Sequence, residues 1–214
     1  NIMLCLVPTP IGNLEDISKR SLRVLMEAEL IFCEDTRVTK KLLNLLGEKN
    51  NLDFSNKEFK SFHSHNENHI LQSLDKETFS KNVVYVSDAG MPCVSDPGAT
   101  LVDYCIKNQI PYDVLPGANA ILTAYAMSGF SHTTFSFYGF LDHKGASRAS
   151  KLSDVLNDDK LAILYESPHR LLKLLEELKE KEPNRTIFLA KEISKLHQKT
   201  FKDSALNLFN EFKK

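Results

Sequence analysis

Five short loops hold the side chains of this chain that could do chemistry. In Val84-Tyr85-Val86-Ser87-Asp88-Ala89-Gly90-Met91-Pro92-Cys93-Val94-Ser95-Asp96-Pro97-Gly98, an apolar strand runs out into small residues and then into a helix. Bare backbone, two carboxylates and a helix N-terminus at a strand's carboxyl end suit a polar small molecule. Asp88 can accept from a hydroxyl or an ammonium, and the backbone beside it can donate. Val7-Pro8-Thr9-Pro10-Ile11-Gly12-Asn13-Leu14 follows an earlier strand, stiffened by two prolines, with Gly12 allowing close approach. Glu34-Asp35-Thr36-Arg37 sets two carboxylates and a guanidinium ahead of a helix. That pattern serves a helix cap with a local salt bridge, or a base beside an orienting cation.

The other two loops are richer in nitrogen. In His63-Ser64-His65-Asn66-Glu67-Asn68-His69, a helix starting near Asn66 would bring His65 and His69 to one face. The spacing is not HExxH and no cysteine pair supports zinc, so substrate contact is the better reading. In Tyr165-Glu166-Ser167-Pro168-His169-Arg170, Ser167 and Pro168 account for a helix start. They leave Glu166, His169 and Arg170 unexplained. Lys191-Glu192, with Lys195 and His197, sits at another strand end, and His143, Lys144, Arg148 and Lys151 read as a solvated helix face.

These loops need an alternating scaffold to hold them. Apolar runs at Met3–Val7, Leu30–Cys33, Phe59–Phe62, Asn82–Ser87 and Tyr112–Leu115 read as strands. Between them, Leu14, Ile17, Leu22, Leu25 and Ala28 fall at helical spacing. So do Leu42 to Leu46, stopping at Gly47, and Ile70, Leu71 and Leu74. Asp96 reads as an N-cap with Pro97 at the first helical position, burying Leu101, Val102, Cys105 and Ile106. The alternation predicts an α/β fold with a mostly parallel sheet and helices on both faces. Pro116-Gly117 marks a boundary between an N-terminal α/β domain, 1–115, and a C-terminal one, 116–214, whose last strand is expected beyond Lys214. The second domain has strands at Phe135–Tyr138, Lys160–Tyr165 and Arg185–Ala190 and a helix through Leu171 to Leu178.

Composition excludes several classes. The 27 Lys and Arg against 28 Asp and Glu leave a net charge of −1, so any RNA site must be locally positive. The scattered Cys5, Cys33, Cys93 and Cys105 form no CxxC and read as reduced, buried thiols of a cytoplasmic protein. GxGxxG and GxxxxGK[ST] are both missing, and no apolar run is long enough for a membrane span.

In order along the chain, VPTPIGNLEDI, EDTR, HSHNE, VSDAGMPCVSDPG, LPGANA, YESPHR and AKEISKLH resemble the bacterial small-subunit ribosomal RNA cytidine 2′-O-methyltransferases, within the tetrapyrrole methylase superfamily. The resemblance runs from Leu4 to about Phe209. It implies two α/β domains of the class III methyltransferase type, with S-adenosyl-L-methionine in a cleft between them, a homodimer, and no metal. Carried over by position, the cofactor would touch Ile11, Asp88, Ala89, Gly90, Cys93, Asn119 and Ala120. Glu166 would contribute mainly by backbone, and Ile193 would lie near the adenine. The partner would be 16S ribosomal RNA or the small subunit, met by Arg37, His65, Asn66, His169, Arg170 and Lys191. Met91, Cys93 and Asn119 depart from the residues usual in that group. Backbone contacts survive all three changes, but a hydroxyl contact at position 91 does not.

The implied reaction is in-line transfer of a methyl group from sulfonium to a ribose 2′-hydroxyl. The protein must align the reacting atoms and help remove a proton. Glu34 or Asp35 is the candidate base, with Arg37 or Lys191 orienting the hydroxyl or a phosphate. Three rivals make different demands. A corrin-precursor C-methyltransferase needs no RNA, a metal-dependent hydrolase using His63–His69 and Asp88 needs a metal, and a non-catalytic RNA-binding module needs no cofactor.

Overall fold

Uninterrupted apolar runs make strands buried on both faces, and such strands pair in parallel beneath helices. In the computed structural model, which describes residues 3–214, three such strands and two more polar edge strands form one parallel sheet. These are β1 (Leu4–Leu6), β2 (Leu30–Cys33), β3 (Glu58–Ser61), β4 (Val83–Val86) and β5 (Tyr112–Val114), in the order β3-β2-β4-β1-β5. The three central strands are buried throughout, whereas the edge strands β3 and β5 are partly exposed.

The period of two along each strand sorts the side chains between two cores. Cys5, Ile31, Cys33, Val84 and Val86 face one side, under Leu25 of α1 (Lys19–Glu27) and Leu43 and Leu46 of α2 (Thr36–Asn50). Leu4, Leu6, Leu30, Phe32, Val83 and Tyr85 face the other, against Ile70 of α3 (Glu67–Ser73) and Leu101 and Cys105 of α4 (Gly98–Lys107).

Local geometry corrects several expectations. Leu14–Asp16 is a separate 3-10 turn, and α1 begins only after Ser18, whose hydroxyl accepts from the Ser21 N–H. Helix α2 does not stop at Gly47. It runs on to Asn50 and ends with Asn51 in the left-handed region at φ 55°. Gly47 is needed for a different reason: a Cβ there would stand 2.6 Å from the Leu52 carbonyl oxygen, where the chain doubles back. The N-cap of α4 is Pro97, not Asp96, and Ile106 lies outside the core at 56% exposure.

The chain divides into two compact units, Asn1–Ala120 and Ile121–Lys214, so the division follows the Pro116-Gly117 turn at the start of α5 (Ala120–Ser128). In the second unit, β6 (Phe135–Phe140) pairs in parallel with β7 (Leu161–Tyr165). There β8 (Thr186–Lys191) pairs antiparallel with β9 (Lys199–Ser204). The largely polar sequence of β9 hides it from apolar periodicity. Helices α6 (Gly145–Asn157), α7 (Leu171–Lys181) and α8 (Ala205–Phe212) supply Leu152, Val155, Leu174, Leu178 and Ala205 to this unit's core. The α6 face expected to be solvated is interrupted. Arg148 is only 3% exposed, forks Glu177 at 2.7 to 3.2 Å and donates to the Asp142 carbonyl at 3.0 Å.

Candidate active site

In a parallel sheet every strand delivers its following loop to the same edge. The loops after β1, β2 and β4 therefore meet in the first unit. Backbone bonds join two of them: Thr9 N–H donates to the Gly90 carbonyl at 3.1 Å and Gly90 N–H donates to that of Thr9 at 3.0 Å. Gly90 N–H also lies 3.2 Å from the buried Thr9 hydroxyl. Gly90 holds φ at 79°, and a Cβ there would lie 2.9 Å from Cγ2 of Ile11 and 3.4 Å from the Ala118 carbonyl oxygen. Gly117 packs against Pro8, whose Cβ would be 2.5 Å from an added methyl. Ile11, Gly90 and the Ala118-Asn119 backbone thus converge on one spot, with Ala120 next to them at the head of α5.

The loops after β2 and β4 are crossed. Asp88 N–H donates to Glu34 Oε1 at 2.9 Å, and Asp35 N–H donates to Asp88 Oδ1 at 3.2 Å. Burial raises the Glu34 carboxyl above its ordinary value, with Asp88 and Asp96 adding to the effect and the Asp88 N–H opposing it. Burial likewise raises Asp88. Asp35 behaves in the opposite way. It caps α2 by accepting from Arg37 N–H at 2.9 Å, and its carboxylate grips the Arg37 guanidinium at 3.1 and 3.2 Å, which lowers its pKa.

Beyond Gly90, Asp96 organises the loop. Its Oδ1 accepts from Gly98 N–H and the Tyr85 hydroxyl at 2.8 Å each and from Cys93 N–H at 3.0 Å. Its Oδ2 is buried without a hydrogen-bond partner. Cys93 and Ser95 are held at φ 70° and 65°. Burial, then Asp96, pushes the Cys93 thiol up to about 11, so it stays protonated and is a poor nucleophile at neutral pH.

The histidine loop follows β3. Asn66 Oδ1 accepts from His63 N–H at 2.8 Å and its Nδ2 donates to the Ser61 carbonyl at 3.0 Å, so the side chain closes the turn. Helix α3 begins at Glu67, which leaves the exposed His65 outside it. His69 lies inside the helix and is also exposed. Among the described residues no group of three or more His, Cys, Asp and Glu side chains is placed to hold a metal.

In the second unit, Glu166 follows β7. Its side chain is 7% exposed, both carboxylate oxygens lack a hydrogen-bond partner, and Arg170 Nε stands 3.9 Å from Oε1. Arg170 also reaches the Asp142 carbonyl at 3.4 Å, while His169 is exposed. Lys191 ends β8 with its ammonium 5.3 Å from the Phe212 ring centre. Ile193 lies between Glu192 and Ser194, at φ 55° and 70°. Sequence reading passed over Thr9 and the Tyr85–Asp96 pair, and it singled out Glu166 without foreseeing the burial of its carboxylate. Each depends on a contact between segments, and only the position of Asp96, two residues before Gly98, signalled a helix-start role.

The sequence family described as Tetrapyrrole (Corrin/Porphyrin) Methylases matches residues 3–208. The chain is 49% identical over 210 residues to "Ribosomal RNA small subunit methyltransferase I" of Campylobacter fetus subsp. fetus, covering 98% of this chain and 78% of that protein. It is 45% identical over 212 residues to the protein of the same name from Helicobacter pylori, covering 93% and 74%. Among solved structures, a diphthine synthase superposes with a TM-score of 0.71 at 18% identity, covering 97% of this chain and 84% of that one. A uroporphyrin-III C-methyltransferase from Thermus thermophilus, in complex with S-adenosylhomocysteine, gives 0.63 at 15% identity, covering 98% and 91%.

Proposed function

The chain belongs to the tetrapyrrole (corrin/porphyrin) methylases, and from that premise we propose that it moves a methyl group from S-adenosylmethionine to the 2′-hydroxyl of a cytidine ribose in 16S ribosomal RNA. The observation carrying this reading is the 49% identity, across nearly the whole chain, to a named ribosomal RNA methyltransferase. Fold likeness alone would leave the substrate open, since one fold serves many chemistries. The reading carries with it a cytoplasmic homodimer acting on the small subunit. No helix among the described residues is long and apolar enough to cross a membrane.

The residues present suit the cofactor. Gly90 lacks a side chain where Ile11 and the Ala118-Asn119 backbone close in, and Asp88 and Ala89 beside it are exposed, where a ligand can reach them. Glu166 is expected to contribute mainly through its backbone, its buried carboxylate facing the Arg170 guanidinium at 3.9 Å. Ile11, Asp88 to Gly90, Cys93, Asn119, Ala120, Glu166 and Ile193 would hold it. When bound, it supplies a methyl group already activated by the sulfonium charge.

The chain's own work is to position the hydroxyl and receive its proton. Glu34 is the better base of the two candidates: half-buried, with its pKa raised, it accepts a proton more readily than an exposed carboxylate. Asp35 is committed to capping α2 and to Arg37. Arg37, with 89% of its side chain exposed, is the cation best placed to take an RNA phosphate from solvent.

The test incubates the protein with labelled S-adenosylmethionine and small subunits lacking the modification, then maps new 2′-O-methyl groups. One methylated cytidine is expected. Label transferred to a corrin precursor with no RNA present would replace this reading with the tetrapyrrole one, and the absence of any cofactor binding would end both.

A further inference from the structure

With a net charge of −1, a polyanion must find its attraction locally. One face of α2 provides it. Arg37, Lys40, Lys41 and Asn44 follow the i, i+3, i+4, i+7 spacing, all are exposed, and they extend about 10 Å along the helix axis from the Glu34-Asp35 loop. Arg37 is paired with Asp35, whereas Lys40 and Lys41 have no salt-bridge partner among the described residues.

The stripe leads into a cavity of about 250 Å³ between α2 and β3. Its polar lining is Lys40, Asn44, Ser55 and Lys57, and its apolar lining includes Phe54 and Phe59, while Asp53 beside it accepts from the Ser55 N–H at 2.9 Å and acts on Lys57. Lys40 Nζ stands 5.2 Å from the Phe59 ring centre and Lys57 Nζ 5.9 Å from that of Phe54. Lys57 gives two of its hydrogens to the Met26 and Ala28 carbonyls at 2.7 Å each, leaving a third. Ammonium, amide and hydroxyl groups beside aromatic carbon match a nucleotide, with phosphate for the cations and a flat base for the partly exposed Phe59, Phe54 being buried in the core.

We propose that the α2 stripe and the α2–β3 cavity form a docking subsite for the ribosomal RNA strand flanking the methylated nucleotide. The inference rests on the reading above. It deepens that reading by saying where the strand runs: from Glu34 past Arg37 and along Lys40 and Lys41 into the cavity. A free nucleotide has the same chemistry, but the unbroken run from the Glu34-Asp35 loop favours a continuous strand.

The experiment compares wild type with Lys40→Glu/Lys41→Glu and Lys40→Arg, using unmodified small subunits and saturating cofactor. Both lysines are exposed and outside the core, and unchanged thermal melting will verify folding. The double variant is expected to raise KM for the subunit about tenfold with kcat and cofactor affinity unchanged, and to flatten the salt dependence of binding by about one to two phosphates. Lys40→Arg should keep wild-type KM. If wild type methylates the subunit and the double variant has the same KM, the subsite is overturned while the methyltransferase reading stands. If wild type does not methylate it, that reading fails. Cytidine monophosphate is titrated in parallel. Its loss from the double variant with subunit KM unchanged would mark a free-nucleotide pocket and overturn the proposal.

Discussion

Glu34 and Asp88 hold each other's loops: the Asp88 N–H reaches Glu34 Oε1 at 2.9 Å, while Asp88 Oδ1 takes the N–H of Asp35, next to Glu34, at 3.2 Å. The loops follow β2 and β4, which pair directly. The candidate base is therefore fixed by the same bonds that shape the proposed cofactor loop. Glu34→Gln keeps an acceptor oxygen for Asp88 and removes only the basicity. Turnover at saturating cofactor should fall by about 10²-fold, and Asp35→Asn should fall less. Near-normal rates for both variants would reject carboxylate catalysis.

The raised pKa of Glu34 also has a cost in stability. The folded protein holds a proton on this group more tightly than the unfolded chain does. Its favourable contribution is complete below the ordinary value of 4.5 and is lost as pH rises through the folded value. Glu34→Gln should therefore melt above wild type at pH 7, with the gap closing in acid. Thermal scans at several pH values measure it, and a constant gap would contradict the assignment.

Gly90→Ala forces an L-residue to φ 79° and drives a methyl to within 2.9 Å of Ile11. The strain amounts to about 1–2 kcal/mol. Calorimetry should show S-adenosylmethionine affinity reduced at least tenfold.

Asp96→Ala removes the acceptor for three donors, including the hydroxyl of the fully buried Tyr85. Denaturant unfolding should show a loss of about 2–4 kcal/mol, and Asp96→Asn, which can keep one oxygen in place, a smaller one. Equal losses would mean that the carboxylate charge, not the acceptor geometry, holds the loop.

Arg148→Ala leaves Glu177 without its fork and should destabilise the protein by about 3 kcal/mol in the same assay. A loss below about 1 kcal/mol would indicate that water replaces the guanidinium.

The sequence by itself determined the apolar strands and most helices, because strand burial and helical spacing are local patterns that survive in one dimension. It placed β2 at Leu30–Cys33 and located the loops at the strand ends. It misread Gly47 as a helix stop because its necessity lies in the approach of Leu52. It took Arg148 for a surface residue because its partner Glu177 is 29 positions away. Strand β9 was missed because its stability comes from backbone pairing with β8 rather than from an apolar run. Which carboxylate is raised and which is lowered, Glu34 or its neighbour Asp35, was decided by the tertiary structure alone. Proton affinity follows burial and neighbouring charge, and both are set by residues brought together across the sheet.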